Sequence, residues 1–156
     1  MFSGNFFGIS PVRGYNERSA FRERKMQFST FIDRVRRRAG LKSDKEAAYI
    51  AEATLETLGE RLGGEARKRF TAPMPDKLKA VATRREVHRQ FSLEEFYTVV
   101  AARTGISREN AVMCARVVVS ALQNELPSEV LEYIENALPE EYSDLFRKED
   151  DTLAGE

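Results

Sequence analysis

Glu52, Glu56 and Glu60 recur every four residues, a spacing that lines three carboxylates along one helix face. Such a row supplies an acid and a base only where two environments push neighbouring carboxyl pKa values apart. The face lies away from the stripe of Leu55, Leu58 and Leu62, so a solvated row is expected instead. The acidic run Glu129, Glu132, Glu135, Glu140, Glu141 and Asp144 reads the same way. Metal chemistry finds few ligands. The chain has one histidine, His88, and one cysteine, Cys114, whereas a structural zinc site needs about four Cys or His ligands. A di-iron bundle wants two Glu-x-x-His motifs, and Arg85 stands three residues before His88. "GERLGGE" places Gly59 and Gly64 at P-loop spacing, but Glu65 occupies the position of the phosphate-binding lysine. His88 is therefore read as a solvated linker residue and Cys114 as a core thiol. No catalytic residue, cofactor, metal or small-molecule substrate is expected, and enzyme is the least favoured class.

The basic residues form a larger set. Arg34, Arg36, Arg37 and Arg38 are expected on the outer side of one helix, with Arg67, Lys68 and Arg69 as a second cluster. Arg84, Arg85 and Arg89 make a third. The formal net charge of zero conceals a division. Residues 1–89 hold 20 Lys/Arg against 11 Asp/Glu, a net +9, and residues 90–156 hold 5 against 14, a net −9. Such asymmetry points to a partner surface. Three readings are open: nucleic acid on the basic half, self-association, and neutralisation between halves inside one molecule. Four to six convergent cations would give a salt slope of about −4 to −5 on duplex DNA. An acidic second half opposes that reading.

The elements that must position these residues come in two matching sets. At an offset of 65, Phe31 matches Phe96, Val35 matches Val100, Gly40 matches Gly105 and Leu41 matches Ile106. After a one-residue gap the offset is 64, and Ser43, Ala47, Ala51, Leu58 and Leu62 match Ser107, Ala111, Ala115, Leu122 and Leu126. Glu65 then matches Glu129 and Phe70 matches Ile134, and "MPDKLKAV" matches "LPEEYSDL". A match sustained over a whole unit reads as tandem duplication. Each unit predicts four helices. Phe28, Phe31, Ile32, Val35 and Ala39 share one helical face, and Gly40 is placed to stop that helix. Ser43 with Glu46, and Ser92 with Glu95, are spaced as capping boxes. Gly63–Gly64 ends the second helix, a third covers about residues 65–72, and Pro75 opens a fourth. The fold class is all-α, a tandem pair of four-helix units with about eight helices sharing a core. "AVMCARVVVSAL" in unit two is apolar nearly all round, as a helix enclosed by neighbours must be.

The pattern F-x-x-x-V-x-x-x-x-G-[LI], a capped long helix ending Leu-x-x-x-Leu, then [ML]-P-x-x-[LY], thus occurs twice. It is carried by Phe31, Val35, Gly40, Leu41, Leu58, Leu62, Met74 and Pro75, and by Phe96, Val100, Gly105, Ile106, Leu122, Leu126, Leu138 and Pro139. It resembles the bacterial proteins grouped as domain of unknown function 2267, over about residues 26–146. The resemblance implies an all-helical bacterial protein of two related units. That family brings no established activity, so no site residue is transferred from it.

The expected organisation is a disordered tail or over-extended start at 1–25 and a basic unit at 26–82. A linker at 83–90, an acidic and more buried unit at 91–146 and a disordered acidic tail at 147–156 follow. In the first tail, Phe2, Phe6, Phe7 and Ile9 could anchor in a groove while Arg13, Arg18, Arg22 and Arg24 add charge. Aromatics with arginine also suit single-stranded nucleic acid. No stretch reaches 18 uncharged apolar residues, no signal peptide is evident, and one cysteine fits a reducing compartment. The expectation is a cytoplasmic, non-catalytic interaction or assembly module without a membrane partner. Its basic face, Arg34, Arg36, Arg37, Arg38, Arg67, Lys68, Arg69, Arg84, Arg85 and Arg89, would meet an acidic surface on a protein partner or a second copy. Nucleic-acid binding through the same residues is the alternative.

Overall fold

The apolar face of "FSTFIDRVRRRA" forms the expected helix, α1, Phe28–Ala39, in a computed structural model that describes residues 26–147. Phe31, Ile32 and Val35 are buried, and Gly40 ends the helix at φ 68°, where a Cβ would be strained. Helix α2 spans Asp44–Leu62, and the Ser43 side chain accepts from the Glu46 backbone N–H. Its partner carboxylate accepts from the Lys42 N–H at 3.0 Å, so the cap is shared over two residues. Helices α3 (Gly64–Thr71) and α4 (Asp76–Ala82) complete the first half. Pro75 sits at the N-cap of α4, one position earlier than the sequence implies.

The second half repeats the plan. Helix α5, Leu93–Thr104, opens on a full capping box between Ser92 and Glu95 and closes at Gly105, φ 78°. Helix α6 is Arg108–Gln123, capped by Ser107, and α7 is Ser128–Ala137. A 3-10 turn, Glu140–Tyr142, leads into the short α8, Ser143–Phe146. The described residues thus form eight α-helices and no strand. The expectations for both tails fall, apart from Arg147, outside the described residues.

The halves interlock rather than sit side by side. Helix α1 packs on α2 and on α6, while α5 packs on α6 and on α2. Helices α3 and α7 pack on each other, α4 lies on α2 and α8 lies on α6. Exchanging the halves returns these same pairings. One apolar cluster runs through both, from Phe31, Leu58 and Phe70 to Phe96, Leu122 and Ile134. Removing a buried ring such as Phe31 or Phe96 costs about 3–5 kcal/mol. Helix α6 is enclosed as expected, with Val117–Leu122 buried without a break. The longest enclosed run is nevertheless in α2, where every residue of Ala53–Leu62 is buried.

Candidate functional site

Most of the ten basic residues are held by partners within the chain. Arg34 reaches across to Glu125, behind α6, at 3.1 Å, and Arg38 donates to Ser120 Oγ of α6 at 2.7 Å. Both therefore bridge the halves. Arg36 holds Asp33 at 2.6 Å and Asp44 at 2.8 Å, and Arg37 shares Asp33. Those two guanidinium groups keep the Asp33 carboxyl below the ordinary carboxylate range. In α3, Arg67 donates to the Arg85 carbonyl. Arg69 pairs with Glu65 at 3.5 Å and stacks on the Tyr133 ring of α7, 4.4 Å from its centroid. Lys68 is exposed and has no carboxylate partner among the described residues.

The third cluster is engaged by the carboxylate row. Glu56 lies 2.9 Å from Arg85 and 3.9 Å from Arg84. Glu60 lies 3.1 Å from Arg89 and 2.9 Å from Arg103, whose other terminal nitrogen donates to Thr57 Oγ1 at 2.9 Å. A solvated row was expected, but Glu56 and Glu60 are buried at 7% and 2% exposure, and only Glu52 remains half-exposed. The cause is the linker, which lies along α2 and delivers Arg84, Arg85 and Arg89 to it. The Arg89 N–H donates to the Glu60 carbonyl at 3.1 Å, and Arg61 donates to the Phe91 carbonyl at 2.7 Å. A buried carboxylate is tolerated only when paired and hydrogen-bonded. The arginines in the linker are the sequence signal for this burial. His88 belongs to the same strap. It is exposed, yet its Nε2 lies 2.8 Å from the Arg61 carbonyl, and its ring occupies the space a Cβ on Gly63 would need.

A second polar cluster fastens the C-terminal end. Tyr97 of α5 donates to Asp144 Oδ2 at 3.0 Å, and Arg116 of α6 donates to the same oxygen at 2.5 Å. Burial, reinforced by the Asp144 charge, pushes the Tyr97 phenol up to about 12. The Arg116 hydrogen bond holds the Asp144 carboxyl below its usual range. Tyr142, buried and bonded to the Phe91 carbonyl at 2.9 Å, is likewise pushed up to about 12 by burial. Cys114 is buried, and desolvation raises its thiol pKa, which disfavours the reactive thiolate. The first cluster fastens the linker and α5 to α2, and the second fastens α8 to α5 and α6. Among the described residues no group of three His, Cys, Asp or Glu side chains is placed to hold a metal ion. No described helix is long and apolar enough to cross a membrane.

What the described part of the second half leaves unpaired is acidic. Between Arg116 and Arg147 the chain has no Lys or Arg. Glu125 and Asp144 in that stretch are paired with arginines, and Glu141 accepts from the Leu93 N–H at 3.3 Å. Glu129, Glu132, Glu135 and Glu140 are exposed and have no cation partner among the described residues.

Two interlocked helical halves fastened by arginine–carboxylate pairs define a small all-α bundle protein. The chain belongs to the family described as uncharacterized conserved protein (DUF2267), whose model matches residues 28–145. It is the family that the doubled F-x-x-x-V…G motif resembles. No curated protein matches the chain.

Proposed function

We infer that the protein is a non-catalytic interaction module that meets its partner through an electrostatic contact. The observation that supports this is the unequal pairing of its charges. Nine of the ten basic residues have a partner inside the chain, whereas Glu129, Glu132, Glu135 and Glu140 have none among the described residues. The acidic edge of α7 is thus one charged patch left for another molecule, and Lys42, Lys45, Lys68, Lys77 and Lys79 of unit one likewise have no carboxylate partner among the described residues. Basic side chains are its complement, and unit one exposes Arg37, Lys68 and Arg69. Exposed ion pairs contribute only about 0–1 kcal/mol, so Arg37 and Arg69 exchange partners at small cost. A neighbouring copy presenting unit one to this edge makes a head-to-tail contact. Complementary charge of this kind sets register and association rate more than affinity. The two halves are read as a tandem duplication whose second copy became acidic. The compartment that suits one buried thiol is the reducing cytosol of a bacterium.

The test is light scattering behind a sizing column at low and high salt, recording absorbance at 260 nm. A mass above monomer that falls with salt supports the contact, and Glu129→Lys with Glu132→Lys should abolish it while helical content stays unchanged. A monomer at every salt concentration rejects self-association and directs the search to a different basic protein. Excess absorbance at 260 nm would transfer the role to nucleic acid.

A further inference from the structure

Unit two carries a shallow groove of about 370 Å³ where the linker enters α5, near the lower end of the roughly 300–1,000 Å³ typical of ligand clefts. Phe91, Thr98 and Val99 form its walls, Glu94 and Glu95 its rim, and Arg108 closes one end. The backbone beneath Phe91 is fixed, because its carbonyl accepts from both Arg61 and Tyr142. Arg108 is tied to Glu94 and lies 5.9 Å from the centroid of the Tyr97 ring. The residues that shape the groove are not repeated in unit one. The positions matching Thr98, Val99 and Arg108 are Asp33, Arg34 and Asp44, which are tied up in the ion pairs of α1.

We propose that this groove is the docking site of the chain's own N-terminal segment, with Phe6 and Phe7 seated against Phe91 and Val99. The segment has the matching chemistry. Phe2, Phe6, Phe7 and Ile9 fall within nine residues, and residues 1–25 hold five Lys/Arg against two Asp/Glu, opposite in sign to the glutamate rim. It also has the reach. Phe7 lies 19 positions before Met26, whose N–H donates to the Pro73 carbonyl at 3.4 Å. A flexible chain of that length spans about 24 Å, against a radius of gyration of about 14 Å for a compact body of this size. Tethering at that range supplies an effective concentration on the order of millimolar, so one or two aromatic contacts suffice. This inference does not depend on the charge contact of α7.

Nuclear magnetic resonance on the full chain tests it with two variants, Phe6→Ser with Phe7→Ser, and Thr98→Arg at the exposed part of the groove wall. The expected result is reciprocal and independent of protein concentration. The double substitution shifts the amides of residues 91–99 and 108, and Thr98→Arg shifts those of residues 2–9. Changes confined to each substituted segment, or tail-induced changes that map elsewhere, would overturn the proposal. Reciprocal shifts that grow with protein concentration would also overturn it, since the groove would then hold the segment of a second copy.

Discussion

Arg69 stacks on Tyr133 across the α3–α7 contact, 4.4 Å from guanidinium carbon to ring centroid. At the offset of 64 that relates the halves, the two residues occupy the same position. The Arg69–Tyr133 stack is thus a contact between matching sequence positions, and there the basic helix of one half meets the acidic helix of the other. Among the described residues one ion pair, Arg34–Glu125, joins a cation of the basic half to a carboxylate of the acidic half, so most of the charge asymmetry is not met by direct pairing.

An exposed cation–π contact is worth about 0.5–1 kcal/mol. A double-mutant cycle on Arg69→Ala and Tyr133→Ala, read by urea unfolding, should return a coupling of that size. Tyr133→Phe keeps the ring and should leave the coupling in place. Zero coupling would mean the two side chains are merely adjacent.

Arg38 and Arg103 also share one position, at the offset of 65, and each crosses to the long helix of the other half. Their consequences differ. Arg38 meets a neutral hydroxyl, so Arg38→Ala should cost about 1 kcal/mol. Arg103 holds the buried Glu60, and removing one partner of a buried charge costs about 3–5 kcal/mol. Arg89 still faces Glu60, so Arg103→Ala should fall at the low end of that range. Arg103→Lys should not restore stability, because an ammonium cannot serve Thr57 and Glu60 from two separated nitrogens. Equal costs at Arg38 and Arg103 would contradict this account.

The helices were legible in the sequence because their signals are local. Phe28–Ala39 ends at Gly40 and α5 begins at Ser92 as periodicity and capping chemistry require. The placement of charge was not. Arg38 was expected outside because the arginines follow the apolar residues of α1, yet its partner Ser120 lies 82 positions away. Glu56 and Glu60 read as solvated because a helix pattern cannot show that a later segment will lie across it. Their partners stand in view as Arg84, Arg85 and Arg89, but charge pattern alone does not say whether such arginines meet a carboxylate or a phosphate.

Gly59 is a second non-local case. A Cβ there would lie 2.0 Å from the Ala82 carbonyl oxygen, so α2 and the end of α4 meet backbone to backbone. At the equivalent place in unit two, Gln123 fills the wider gap and donates to the Phe146 carbonyl at 2.8 Å. Gly59→Ala gains about 1 kcal/mol of helix propensity. Forced overpacking costs about 1–3 kcal/mol, occasionally more, and here the obstacle is backbone. Net destabilisation is expected, with a lower thermal midpoint and unchanged helical content at 25 °C. A neutral or stabilised Gly59→Ala protein would show that α4 is free to move off α2.

The Tyr97–Asp144–Arg116 cluster gives the fold a defined dependence on pH. Tyr97 ionises at about 12 in the folded protein, against about 10 for a free phenol. A raised pKa contributes stability that is complete below the unfolded value and is lost as pH climbs from about 10 toward 12. Asp144 is displaced the other way, so its contribution is present above the free carboxyl value of about 4 and is lost as pH falls through its lower folded value. Tyr97 and Tyr142 should each give a late phenolate step, near pH 12, in an alkaline titration. Tyr97→Phe should remove one of those late steps. Asp144→Asn should move the Tyr97 step to lower pH, because the neighbouring negative charge that opposes phenolate formation is gone, while burial keeps it above 10. If the Tyr97 step does not move in Asp144→Asn, burial alone sets it, and the hydrogen bond between the two residues carries no weight in fastening α8 to α5.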